Sequence, residues 1–527
     1  VILKGVLLTV LVPMVDSVCL ASEARSGAVN QEKLALLSKD NFYSDIQRNV
    51  TVDVGAGLKE VLEAEKVRGS CNKHFANLDP TTGRVRDGLQ DYAAAQRTMI
   101  LCGKELFIWL NVPTKVAVPD VLYKALVLTF PDEAGPSFTK LGFRENPYEP
   151  GAPLELPKVD AVKNDWKGNF MGPGRNLACT GCHLGRLPDG RYSIGMPNEQ
   201  LDLGKFNALM SYPLWLASHQ KRDASIWEPS VDAYYRGLFN KSKGKVNFPR
   251  ALLDASVLAS LFGMQDTLYA FIGQDPLPVT DQRTFLKSKV GTLNPSTPML
   301  SDPENEIYVS APPIWKMKHV KGDLGEPYLG RITSSDSLEQ FVAQAFVYST
   351  LTSEFSVPKY IDPLTAYMRQ IDAPKNPKAR DEQKFEKGQE LFANQCVSCH
   401  NGYEGSTKEA ATTADATSPL VFDRLFRSYN PPTRQSRTAL AELQKVGMFP
   451  LEQTGLKSRR LTGLWARSKL GYNGAIEGVD HLFCLSGKKR KTIDQNDPQA
   501  ESMHRDLCET LDDASKIALK EYLLQAY

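Results

Sequence analysis

No charge of one sign dominates this chain. Its 63 Lys and Arg against 61 Asp and Glu leave a formal net charge of +2 over 527 residues, so it lacks the basic excess by which nucleic-acid partners are held. The local run Lys488-Lys489-Arg490-Lys491 reads as a solvated loop. Long apolar runs are missing too. After the N-terminus no uninterrupted stretch is long enough to span a bilayer, so no membrane span is expected in the mature chain. Strand signals are sparse, which favours a mainly α fold. Histidine is scarce, with seven in the whole chain, so each one can be weighed individually as a ligand.

The N-terminus itself reads as an export signal. Lys4 precedes the apolar run Gly5 to Val15, and small residues around Ala21 and Ser22 offer a cleavage point. Residues 1–21 are therefore assigned as a signal peptide, with an uncleaved anchor or a lipid on Cys19 as the alternatives. The expected location is periplasmic or secreted. Of the nine cysteines, Cys19 leaves with the signal and four belong to two Cys-x-x-Cys-His motifs. The remainder, Cys71, Cys102, Cys484 and Cys508, allow three pairings. Sequence proximity favours Cys71–Cys102 and Cys484–Cys508, each closing a loop worth roughly 3 kcal/mol in an oxidising compartment; free buried thiols are the alternative.

Those two motifs carry the chemistry. They are Cys179-Thr180-Gly181-Cys182-His183 and Cys396-Val397-Ser398-Cys399-His400. Two thiols at that spacing reach the two vinyl groups of one haem, and the next residue is held under the iron as proximal ligand. Zinc or a redox dithiol is the competing reading, but zinc wants further Cys or His at short spacing, which neither motif has. The cofactors expected are two covalently bound haem c groups, with calcium as a further candidate ion. His74, His219, His319, His481, His504 and Met448 remain as candidate sixth ligands.

Composition divides the rest. Residues 22–159 form an N-terminal extension with helical patterns at Gly57 to Val67 and Leu89 to Cys102, ending in a Pro-rich run, Pro147 to Pro157, that reads as extended linker. Residues 160–372 hold the first motif. A Pro- and charge-rich hinge (371–383) leads into 373–527, where Gln383 to Gln395 reads as an amphipathic helix with Phe385, Leu391 and Phe392 on one side. Ser406 to Ser418 reads as a loop. A last helix, Ala514 to Gln525, has Ile517, Leu519, Tyr522 and Leu523 as its apolar positions. The expected architecture is mainly α: two cytochrome c-like haem domains with long loops plus an N-terminal helical extension.

From about residue 130 onward the sequence resembles the bacterial di-haem cytochrome c peroxidase superfamily, especially its rubber-oxygenase-like branch. Four stretches carry the resemblance. Asn176 to Gly185 resembles that branch's first haem segment. Pro312-Pro-Ile-Trp315, with Tyr328-Leu-Gly-Arg331 and Ser337 to Gln340, resembles the inter-haem segment, Tyr328 standing where an aromatic lies between the haems. Ala373 to Pro377 running into Gly388 to Phe392 resembles the hinge before the second haem, and Arg460 to Gly474 the segment folded over it. The resemblance implies His504 as sixth ligand of the second haem, since it precedes Thr510-Leu-Asp-Asp513 and the closing helix with Glu521-Tyr522-Leu523. Met448 and His481 stay open beside it. Tyr472 replaces the family's usual His before Asn473-Gly474. Glu354, beside Phe355, is the nearest match to the peroxidases' catalytic Glu, and Trp315 and Tyr328 are candidate electron relays or pocket walls.

Three functions suit the pattern: peroxide reduction at an open first haem, dioxygen chemistry on an organic substrate there, or electron carriage by two six-coordinate haems. The last needs a ligand such as His319 or His219. The expected partners are a small redox protein as electron donor or acceptor and a small-molecule oxidant or organic substrate.

Overall fold

The computed structural model describes residues 52–86, 91–110, 118–159, 174–220, 227–242, 290–293, 309–315, 317, 338–350, 356–396, 412–413, 456–457, 461–471, 474, 476–485, 487 and 505–526. All of these fall within one unit, Val52–Tyr527. Helices predominate, as expected, and strands are two to five residues long. In chain order the helices include α1 (Leu58–Leu62), α2 (Ala64–Val67), α3 (Ser70–Ala76), α4 (Tyr92–Trp109), α5 (Asp120–Thr129), α6 (Thr180–His183), α7 (Leu203–Gln220), α8 (Pro229–Ser242), α9 (Leu338–Thr350), α10 (Pro358–Met368), α11 (Glu382–Gln395), α12 (Gly478–Leu482), α13 (Arg505–Thr510) and α14 (Asp513–Ala526). Among the described residues no helix is long and apolar enough to cross a membrane.

The single helix expected over Gly57 to Val67 is two. Glu63 adopts a left-handed conformation (φ 45°) between α1 and α2, and its carboxylate accepts from Val52 N (2.9 Å) and Lys104 Nζ (3.2 Å). Those bonds offset the strain of a positive φ on a residue with a Cβ. Helix α4 starts where Asp91 accepts from Ala94 N at 2.7 Å, an N-cap by a short acidic side chain. It runs seven residues past Cys102, until Leu110 turns left-handed. The disulfide Cys71–Cys102 joins α3 to α4. Glu105, one turn on, accepts from Gly69 N and Cys71 N, supplying the acceptor that Gly69 as N-cap residue lacks. Helix α10 crosses α4 at Gly103, where a Cβ would stand 1.9 Å from Pro363 O.

Short strands tie the extension to the first motif's region. β1 (Val54–Gly55), β8 (Tyr192–Ile194) and β7 (Leu184–Arg186) form an antiparallel sheet in the order β1-β8-β7, with Val54 opposite Ser193. β2 (Val118–Pro119) and β5 (Lys158–Val159) flank β6 (Gly174–Arg175). The Pro-rich run is no linker. It contains β4 (Glu149–Pro153), which pairs with β3 (Glu145–Asn146), and then buries Leu154, Glu155 and Leu156. Alternating apolar residues let it pack although its prolines donate nothing to a ladder.

Aromatic side chains fill the core beside the first motif: Tyr123 of α5, Phe130, Phe138, Phe206, Tyr212 and Trp215 of α7, and Tyr235 of α8. In the C-terminal part α11 packs on α14, with Phe392, Leu519 and Leu523 in one cluster. Phe385 and Phe392 both meet the Tyr522 ring at 5.2 Å. Of the expected apolar face of α14, Ile517 is the exception at 42% exposure. Cys484–Cys508 is the second disulfide, so both proximity-based pairings hold. The hinge after α10 is extended but anchored: Trp465 Nε1 donates to Pro374 O (2.8 Å) and Asn376 Nδ2 to Leu524 O (3.0 Å).

Candidate cofactor-attachment site

The first motif occupies a single helical turn. Ala178 N donates to Glu155 O (2.9 Å), Gly181 N to Ala178 O (2.9 Å), and Cys182 N and His183 N both to Cys179 O (3.2 and 2.9 Å). So short a helix leaves its last carbonyls without helical donors. The hairpin after it provides three. Asn198 Nδ2 donates to Gly181 O (3.1 Å), Asn198 N to Cys182 O (2.8 Å) and Gly195 N to His183 O (2.8 Å). The second Asn198 amide hydrogen goes to Gly142 O (3.1 Å), so that side-chain amide uses both donors. Below the turn, Glu155 is fully buried and paired with Arg144 at 2.6 Å. Burial raises its carboxyl against the pull of Arg144. Cys179, Cys182 and His183 are therefore presented on a backbone with little freedom.

The chemistry of the two thiols separates the competing readings. Burial pushes Cys179 up to about 12, with Cys182 beside it adding to the effect, and pushes Cys182 up to about 12 as well. Such burial disfavours the thiolate on which dithiol exchange depends. Cys182 packs with Leu177 against the aromatic core. Among the described residues, no group of three or more His, Cys, Asp and Glu is placed to hold a metal ion. Among the described residues zinc thus lacks ligand number here, and calcium finds no carboxylate cluster. A haem attached through thioethers needs two unpaired sulfurs and a following His, and the residues present fit it.

The described cysteines divide cleanly. Cys71, Cys102, Cys484 and Cys508 are in disulfides, while Cys179, Cys182 and Cys396 are not. All three of the latter belong to Cys-x-x-Cys-His segments. Cys396 follows α11, its N–H donating to Phe392 O at 2.9 Å, and packs against the C-terminal core. Cys399 and His400 lie outside the described residues, as do Tyr328, Glu354, His504, His319, Met448 and Tyr472.

Trp315 is brought to the first motif. It is fully buried, and its Nε1 donates to Ile194 O at 2.7 Å. Ile314 N donates to Gly195 O (3.0 Å), and Gly195 is also the residue whose N–H holds His183 O. A Cβ on Gly195 (φ 88°) would stand 2.4 Å from Trp315 Cδ1, and one on Gly463 (φ 69°) 2.1 Å from Trp315 Cζ3. Gly463 leads directly into Leu464, a member of the cluster against which Cys396 packs. One indole therefore fills the space between Gly195, whose N–H holds His183 O, and Gly463, and only glycine permits either approach.

The histidines sort by their partners. His219 has Nε2 2.8 Å from Asp232 and Nδ1 3.0 Å from Trp215 O, so both nitrogens are engaged and it is not presented as a ligand. His481 Nδ1 accepts from Glu477 N at 3.0 Å. His74, on α3, is buried with neither ring nitrogen hydrogen-bonded. Asn198, Gly195 and Glu155 are not evident as site residues from the sequence. Pro188-Asp189-Gly190 between two apolar segments is a hairpin signal that points to the fold-back of 192–198. A buried charge inside a Pro-rich run has no such signal. No family model, curated protein or solved structure matches this chain.

Proposed function

We propose that the chain is an exported di-haem c-type oxidoreductase of the kind its sequence resembles, the di-haem peroxidase and rubber-oxygenase-like cytochromes. The observation that carries this is the division of the cysteines: every described cysteine outside the two motifs is in a disulfide, whereas Cys179 and Cys182 of the first motif are free thiols on one helical turn followed directly by His183. Two disulfides also favour an oxidising compartment, periplasmic or extracellular.

In this reading Cys179 and Cys182 would hold the first haem with His183 as iron ligand; Cys396, Cys399 and His400 would do the same for the second, with His504 as the further ligand that the resemblance implies. Bound at the first position, a haem c would supply a redox-active iron able to react with dioxygen or peroxide. The chain's own part is positional. The bonds from Asn198 and Gly195 to the motif's carbonyls fix the direction of the His183 side chain. The aromatic wall beside Cys182 keeps water from the attachment side and lowers the local dielectric, which strengthens every charge interaction there. Trp315, locked by its bond to Ile194 O and packed on Gly195 and Gly463, is the conjugated group beside the first motif and the natural one-electron path to it from the second. A small redox protein is the external donor or acceptor, and a small oxidant or organic molecule the substrate.

Haem-stained denaturing electrophoresis and intact mass should show two covalent haems, one lost in Cys179→Ala/Cys182→Ala and the other in Cys396→Ala/Cys399→Ala. Cyanide or carbon monoxide should perturb one haem only, and His183→Gly should remove that response. A mass gain of one haem overturns the di-haem reading. Two haems that ignore every small ligand in both redox states convert the protein into an electron carrier.

A further inference from the structure

Tyr367 of α10 is fully buried, yet its hydroxyl does not end in an ordinary backbone contact. It donates to Asp53 Oδ1 at 2.7 Å. Asp53 has a side chain 10% exposed and lies 3.8 Å from Lys104 Nζ, which is itself completely buried and 3.2 Å from Glu63. A phenol, two carboxylates and an ammonium have thus been taken out of water together, at a desolvation cost that an apolar cluster of the same volume would avoid.

The cluster is joined to the first motif. Asp53 O accepts from Ile194 N (2.9 Å), Ile194 O accepts from Trp315 Nε1 (2.7 Å), and the next residue, Gly195, donates to His183 O (2.8 Å). Three hydrogen bonds therefore link the Tyr367 hydroxyl to the Trp315 indole. A second route is aliphatic. Ile371, one turn beyond Tyr367, has its Cγ2 2.9 Å from the point above Gly195 that also lies 2.4 Å from Trp315 Cδ1. On its other side the Tyr367 ring meets Phe107 edge-on at 5.6 Å.

We propose that Tyr367 is a redox-active tyrosine that passes single electrons to the Trp315 side of the first motif, with Asp53 as its proton acceptor. Burial, reinforced by Asp53 and Glu63, holds the phenol well above its ordinary range, so phenolate is not formed first and the proton leaves with the electron. The step balances: a one-electron oxidant takes one electron from Tyr367, its O–H bond breaks, and the proton forms an O–H bond on Asp53 Oδ1. A neutral phenoxyl radical and a neutral carboxylic acid result, and one electron from a reductant returns both to the start. Burial pushes Asp53 up, Lys104 opposes this, and Glu63 and Asp372 add to it. The carboxylate is thereby made a stronger base than an exposed aspartate.

The oxidant in the protein's own chemistry is the peroxide- or dioxygen-oxidised first haem, so that part rests on the proposed function. The pair itself does not, and two arms of one experiment separate them. The full-length holoprotein, carrying ring-deuterated tyrosine, is frozen after mixing with hydrogen peroxide, or after flash oxidation by a photogenerated trivalent ruthenium complex with persulfate as electron sink. Paramagnetic resonance is expected to show a tyrosyl signal narrowed by deuteration in both arms and lost in Tyr367→Phe. Asp53→Asn, which keeps an acceptor oxygen for the phenol, should leave a signal that forms only at high pH, where the proton can go to solvent. A signal in the flash arm alone keeps the tyrosine and sinks its haem oxidant. A signal that survives unchanged in Tyr367→Phe, or that is indifferent to Asp53→Asn at every pH, overturns the proposal.

Discussion

Single residues decide how the first motif is held, and two residues show opposite ways in which a side chain matters. Gly195 permits, through the absence of a side chain. Its positive φ and its contact with the indole leave no room for a methyl group, so Gly195→Ala combines backbone strain with overpacking and should cost about 3 kcal/mol. Urea unfolding should show the loss as a lowered midpoint with unchanged slope, and the Trp315 fluorescence maximum should move with it. His74 acts by what it lacks. With no hydrogen-bond partner and almost no exposure, burial lowers it to about 4 from 6.5. The folded form thus holds a neutral imidazole where the unfolded chain takes up a proton more readily. Stability is full above pH 6.5 and falls as pH drops toward 4, by ~3 kcal/mol for this group alone. His74→Leu should flatten the midpoint temperature between those pH values; an unaltered pH profile would show that His74 is not the group responsible.

At the scale of elements, helix contacts hang on glycine at two crossings, and sign as well as size can be worked out. Gly388 of α11 sits where a Cβ would be 2.1 Å from Ala518 O of α14, and Gly103 of α4 where it would be 1.9 Å from Pro363 O. On an open helix surface Gly→Ala stabilises by ~1 kcal/mol. At a crossing the helices must separate, which costs ~1–3 kcal/mol and outweighs that gain. Gly388→Ala and Gly103→Ala should therefore destabilise, while Gly237→Ala on α8, with nothing within 4 Å of the added methyl, should stabilise. The three variants measured by the same denaturant titration test the argument by the sign of each change. Helices α11 and α14 were legible because their apolar residues recur at helical spacing. The break at Glu63 was not, since it depends on Lys104 and Val52, which no local pattern connects. The Pro-rich run misled for a related reason: its composition is that of a linker, and only the tertiary partners Arg144 and Ala178, both bonded to Glu155, hold the turn after its strand in the core.

For the whole molecule, the motifs were legible at once and their housing was not. Cys-x-x-Cys-His is local chemistry, readable from five residues, but the groups that hold it come from far away in sequence. β8 needs Val54 and Gly55 beside it. Arg175, shortly before the motif, is 1% exposed and pairs with Asp120 (2.5 Å) and Glu149 (2.6 Å). Ala178 N bonds to Glu155 O, and Ile194 N to Asp53 O. Every one of those partners lies in residues 52–159, most of which fall before the resemblance begins at about residue 130. A fragment beginning at residue 160 would strand the Arg175 guanidinium without its carboxylates, and breaking a buried pair in this way costs ~3–5 kcal/mol. It would also leave the backbone donors of Ala178 and Ile194 unmet, at ~1–3 kcal/mol each. Those losses together match the whole stability of an ordinary domain, about 5–15 kcal/mol. The fragment should therefore show no cooperative unfolding transition and no covalent haem at Cys179 and Cys182 when exported, whereas the same chain from residue 22 should show both. A fragment from residue 160 that melts cooperatively and stains for two haems would mean that the extension is an addition to a finished fold and not part of the first motif's frame.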